Sequence, residues 1–116
     1  MKLYGIPNCN TVKKARTWLT DNGMTIPFHD FKKQGVSEEL LKSWMKQISW
    51  EKLVNRHGTT WRQLPEEAKA VVCDDASAIR LMLEKSSVIK RPVLEIDGKI
   101  ILGFDEATYQ TLFGKQ

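Results

Sequence analysis

Between Lys2 and Ile6 the chain reads KLYGI, with apolar positions alternating at the period of two that a strand requires. The period then changes. From Asn10 onward Val12, Ala15 and Leu19 recur at helical spacing, with Trp18 beside them. Gly23 follows where a helix C-terminus favours glycine. MTIPFHDF, residues 24–31, reads as a second strand. Its Pro27 cannot donate to a ladder, so it marks a sheet edge or the strand start. Strand, helix and strand in this order favour a parallel pair joined by a right-handed crossover.

The middle of the chain is helical. Ser37 can cap a helix whose first turn carries Glu38 and Glu39, favourable at the positive end of the dipole. Leu40, Leu41, Trp44, Met45 and Ile48 form its apolar stripe. SWEKLVNRHGTTWRQL holds a second short helix and a break at Gly58. Pro65 is expected at the first helical position of PEEAKA. DDASAIRLMLEK reads as a capped helix with Ile79, Met82 and Leu83 inward. The period then returns to two. RPVLEI and KIILGF flank Asp97-Gly98, the strongest short-range hairpin signal. The last segment, DEATYQTLF, has Asp105 as its cap, Tyr109, Leu112 and Phe113 on one face, and Gly114 as its end.

The order is therefore β-α-β, a helical stretch, then β-β-α. This predicts an α/β protein with the thioredoxin-type order: a mixed four-stranded sheet built from a parallel pair and an antiparallel hairpin. One domain is expected over residues 1–116, with a helical insertion at about 36–86.

Composition adds limits to this picture. A chain of 116 residues can bury a core without disulfide staples. Its 41% hydrophobic and 28% charged content is that of an ordinary globular protein. MKLYGIPNC lacks the apolar core of a signal peptide, and no run approaches the ~18 apolar residues of a membrane span. The two cysteines, Cys9 and Cys73, do not make a secreted-type framework, so free thiols in the cytoplasm are expected. The net charge of +4 is scattered in small groups such as Lys13-Lys14-Arg16 and Lys90-Arg91. No basic stripe with interleaved aromatics points to nucleic acid; a small anionic ligand fits better. No partner stands at metal spacing from His57, so no metal site is expected.

The candidate chemistry centres on Cys9. It falls where the first strand ends and the first helix begins, where free N–H groups and the dipole favour a thiolate. Lys13 and Lys14 are expected to add to that bias. Asn8 and Asn10 flank the cysteine in a polar, turn-forming setting unlike core packing. A dithiol oxidoreductase needs C-x-x-C; this chain reads Cys9-Asn10-Thr11-Val12. Cys9 thus lacks a local resolving partner, and an outside thiol such as glutathione must release any adduct. Cys73 is either a distant resolving thiol or a spectator, and the acidic pair Asp74-Asp75 favours the spectator. In a thioredoxin-type fold Pro92 occupies the place of a cis-proline beside the active cysteine. Arg91 then lies near Cys9 and offers a planar fork for an oxyanion or carboxylate.

LYGIPNCNTVKKA, LVNRHGTTWRQLP, IKRPVLEIDGK and LGFDEATY together resemble the glutaredoxin-coupled arsenate reductase (ArsC) family. Within it the likeness is strongest to the YffB-type branch, with the Spx regulators as relatives. The resemblance implies a catalytic cysteine at Cys9 that attacks arsenate, with glutathione joining the adduct and glutaredoxin completing the reduction. It also implies three arginines around the oxyanion. Arg91 matches one. Arg56 is a candidate for the second. The third falls at Gly103-Phe104, where this chain has no arginine. Losing one charge-assisted partner typically forfeits roughly 1.5–3 kcal/mol, so arsenate specificity is not carried over. The expected site is Cys9 as nucleophile, with Arg91, Pro92, Asn8, Asn10, Lys13 and Arg56 as substrate-binding candidates. The expected function is a glutathione-dependent thiol oxidoreductase, with no bound cofactor and with glutathione as co-substrate. Glutaredoxin or a glutathionylated protein is the further partner; nucleic acid and membrane are not. The alternatives are a true arsenate reductase and a non-catalytic, Spx-like binding protein.

Overall fold

The computed structural model describes residues 1–113. In chain order its elements are β1 (Lys2–Gly5), α1 (Asn10–Asp21), β2 (Phe28–Asp30), α2 (Phe31–Gln34), α3 (Glu38–Met45) and α4 (Trp50–Leu53). Then follow α5 (Thr59–Arg62), α6 (Glu66–Ala70), α7 (Asp75–Glu84), a 3-10 turn (Ser86–Val88), β3 (Val93–Ile96), β4 (Lys99–Leu102) and α8 (Glu106–Phe113). Two compact units result. One combines residues 1–30 with the segment from 91 onward; the other spans 31–90.

The first unit is the sheet with α1 and α8. Its strand order is β2-β1-β3-β4. β1 and β2 are parallel, with Tyr4 opposite His29. β1 and β3 are antiparallel, with Leu3 opposite Leu94, and β3 and β4 form the hairpin. This is the mixed, thioredoxin-like sheet. β2 is an edge strand that begins just after Pro27, whose carbonyl accepts from the Leu3 N–H at 3.0 Å. It is shorter than the residue 24–31 expectation. Met24 lies outside it because its N–H is held by the Leu19 carbonyl at 2.9 Å, beside the Gly23 N–H bond to the Thr20 carbonyl at 3.0 Å, and the strand opens only at Phe28. Those two bonds form the Schellman closure of α1. Asp97 and Gly98 both have positive φ, as a type I′ hairpin turn requires.

One face of the sheet packs on α1 and α8. Leu3, Leu94 and Ile96 meet Ala15, Leu19 and Tyr109, with Trp18, Phe104 and Phe113 at the margin. Gly5 lets α1 lie close to β1: a Cβ there meets Val12 Cγ2 at 2.8 Å. On the first turn of α8 the Asp105 carboxylate accepts from the Thr108 N–H at 3.1 Å, the expected cap. Gly114 lies outside the described residues.

The second unit is the helical stretch. Ser37 Oγ accepts from the Leu40 N–H at 3.1 Å and caps α3, which buries Leu41 and Trp44. Asp74 and Ser77 form a capping box on α7. Leu83 corrects an expectation: it is 41% exposed, while Ala78, Ile79, Leu81 and Met82 are buried. At 100° per residue Leu83 lies about 140° around the helix from Ala78, beyond the buried arc. Pro65 is the N-cap of α6 rather than its first residue. Phe31, expected at the end of the second strand, is buried and opens the short helix α2 instead. None of the described helices is long and apolar enough to cross a membrane.

Candidate active site

β1 delivers the chain to a turn in which the Cys9 N–H bonds the Ile6 carbonyl at 3.1 Å. Cys9 is then the N-cap of α1, with extended backbone and its carbonyl accepting from the Lys13 N–H at 2.9 Å. The sequence folds this way because Pro7-Asn8 forms the turn and Asn10 opens a helix whose Val12, Ala15 and Leu19 are buried against the sheet. Val12 is thus unavailable at the surface, and its side chain occupies the space left by Gly5.

Cys9 is half-buried and unpaired with Cys73, which is exposed. Burial alone pushes its thiol up and is the largest single influence. The N–H of Val12, the Arg91 guanidinium, the N–H of Thr11 and the charge of Arg91 oppose it, and together they hold Cys9 below the ordinary thiol value. As a neutral thiol Cys9 makes no side-chain cap bond. The surroundings favour its charged form.

The cation responsible is Arg91. Lys13 and Lys14 were expected to share this role, but both are exposed and neither is among the groups that act on the thiol. These lysines lie on the exposed face of α1. Arg91 reaches Cys9 from the far end of the chain because β3 lies beside β1. The Arg91–Pro92 bond is cis, and Pro92 is buried. The Pro92 carbonyl accepts from the Gly103 N–H at 2.8 Å. Gly103 has φ +73°, a conformation that penalises any side chain. Gly103, one of the two positions where the resemblance expects an arginine, is therefore shaped for glycine.

Asn8 and Asn10 flank Cys9 and are exposed. Arg56 belongs to the helical unit, where its guanidinium lies 5.8 Å from the Trp50 ring centroid. His57 is exposed, and its N–H bonds Asn55 Oδ1 at 3.2 Å. Among the described residues no cluster of three or more His, Cys, Asp or Glu is placed to hold a metal. What the site can do is nucleophilic chemistry by a thiolate beside a guanidinium.

The ArsC family model matches residues 4–112. The chain belongs to the ArsC family. An uncharacterised protein of Haemophilus influenzae is 40% identical over 111 residues, covering 96% of each chain. Among solved structures, a protein named YFFB shares 47% identity with a TM-score of 0.88, covering 94% of this chain and 95% of its own. An arsenate reductase (ArsC) related protein from Brucella melitensis shares 50% identity with a TM-score of 0.77, covering 99% and 97%. This ArsC chain is thus arsenate reductase-like, with the thioredoxin-like fold the element order predicted.

Proposed function

We propose that this chain is a glutathione-dependent thiol oxidoreductase working through Cys9 alone. The observation that carries the reading is the pairing of Cys9 with Arg91, with buried Val12 where a local resolving thiol would stand. The Cys9 thiolate attacks the glutathionyl sulfur of a mixed disulfide, R–S–S–glutathione. A Cys9–glutathione disulfide forms, the old sulfur–sulfur bond breaks, and the R thiolate leaves with its electron pair and takes a proton from solvent. The thiolate of a second glutathione attacks the glutathionyl sulfur, frees Cys9 and departs as glutathione disulfide. Arg91 holds the thiolate charge and offers its fork to a glutathione carboxylate. Pro92 shapes the adjoining backbone, and Asn8 and Asn10 present polar groups beside the sulfur. A glutaredoxin or a glutathionylated protein is the partner.

Treatment with oxidised glutathione, followed by peptide mass spectrometry, tests this. A glutathionyl group on Cys9, released by free glutathione, supports the reading; an unmodified Cys9 overturns it. Family membership favours a second reading, arsenate reduction. Its test is arsenate turnover with glutathione and glutaredoxin, abolished in Cys9→Ser.

A further inference from the structure

Beyond Cys9, α1 continues as one wall of a groove of about 390 Å³. Lys13 and Lys14 line it about one turn from Cys9. Asp21 lines its far part, roughly 18 Å from Cys9 along the axis at 1.5 Å per residue. Trp18 and Phe104 form the apolar part, and Glu106 lines it from the first turn of α8. Phe104 packs edge-on to Tyr109 at 4.8 Å, so its ring is braced by a fully buried neighbour. Among the described residues Lys13, Lys14, Asp21 and Glu106 take part in no ion pair. The groove thus has its lysines toward Cys9, the rings of Trp18 and Phe104 as apolar wall, and two carboxylates, Asp21 at its far part and Glu106 on the α8 wall.

We propose that this groove docks the cysteine-bearing segment of a glutathionylated protein substrate. The proposal rests on the reading of Cys9 as the thiol-exchange nucleophile and names what R is. The segment is extended, with a carboxylate close to its cysteine to meet Lys13 and Lys14. An apolar side chain follows for Trp18 and Phe104, then a cation for Asp21. At about 3.3 Å per residue some five or six residues span the groove, and alternate side chains face the same way. Glutathione itself carries neither the apolar side chain nor the distal cation. The groove therefore separates a protein substrate from the small thiol that regenerates the enzyme. Where an oxyanion-binding arginine is expected, Phe104 instead contributes apolar wall.

Two glutathionylated peptides test this, Cys-Ala-Glu-Ala-Leu-Ala-Lys and the same sequence with Glu and Lys exchanged, each also made with the cysteine at the other end. Release of the peptide thiol is followed with the full-length protein and excess glutathione at low salt. The expected result is about a fivefold faster reaction for the peptide with Glu near its cysteine, the size that two exposed charge pairs allow. That preference reverses in the double variant Lys14→Glu with Asp21→Lys and fades at high salt. Equal rates for the two charge orders, or a preference unchanged in the double variant, overturn the docking proposal. The rate with oxidised glutathione separates the two ideas: if Cys9 exchanges with it but the peptides are not distinguished, only the groove reading falls. If Cys9 exchanges with none of these disulfides, the thiol reading falls with it.

Discussion

Replacing Arg91 by Met removes the guanidinium that acts on Cys9 and keeps a long side chain. A hydrogen bond to a charged group contributes roughly 1.5–3 kcal/mol net. Cys9 is only half-buried, so solvent screens part of this and the lower end applies, about 1.5 kcal/mol. That is about a tenfold loss of thiolate relative to thiol. The assay is the pH dependence of Cys9 alkylation by iodoacetamide, with Cys73 replaced by Ser in both proteins. The Arg91→Met variant should react about three- to fourfold more slowly near neutral pH, because the more basic thiolate is also the better nucleophile and offsets part of the loss, with its inflection moved upward. At alkaline pH, with both thiols ionised, the deficit disappears and the more basic variant thiolate reacts at least as fast. The sign of the linked stability follows. The native thiol value of Cys9 lies below its unfolded value, so the thiolate stabilises the fold above the unfolded value. That contribution is lost as pH falls through the native value, and Arg91→Met should shrink it. Identical inflections in the two proteins would refute the assignment of Arg91 as the cation that tunes Cys9.

Val12→Cys supplies the missing resolving thiol. Its thiolate should attack the Cys9 sulfur of the glutathione adduct and expel glutathione, so mass spectrometry finds an internal disulfide in place of the adduct. Persistence of the adduct would show that position 12 cannot reach the sulfur. Gly5→Ala drives a Cβ against the buried Val12 and should cost about 1–3 kcal/mol in urea denaturation; an unchanged midpoint would contradict the close approach of α1 to β1. Trp44→Ala empties the largest fully buried position of the helical unit and should cost about 3–5 kcal/mol, a large share of the 5–15 kcal/mol typical of a domain. Thermal denaturation reads it directly, and a loss under about 1 kcal/mol would mean that Trp44 is not packed as described.

Most of the architecture was legible because each element carries its own punctuation. Gly23 closes α1, Ser37 caps α3, and Asp97-Gly98 turns the hairpin with both residues at positive φ. Local rules fail where a neighbour in space decides. Met24 has the composition of a strand residue, but its N–H is claimed by the C-terminal closure of α1. Leu83 has the chemistry of a core residue but falls outside the buried arc of α7.

At the site the division is sharper. The position of Cys9 at a strand-to-helix turn, the missing cysteine at residue 12 and the arginine before Pro92 all follow from residue order alone. Which cation acts on the thiol does not. Lys13 and Lys14 are near Cys9 along the chain, yet a helix turns them outward. Arg91 is far along the chain, yet the pairing of β3 with β1 brings it to Cys9. Charge acts through space, and it was the sheet topology that decided the distance.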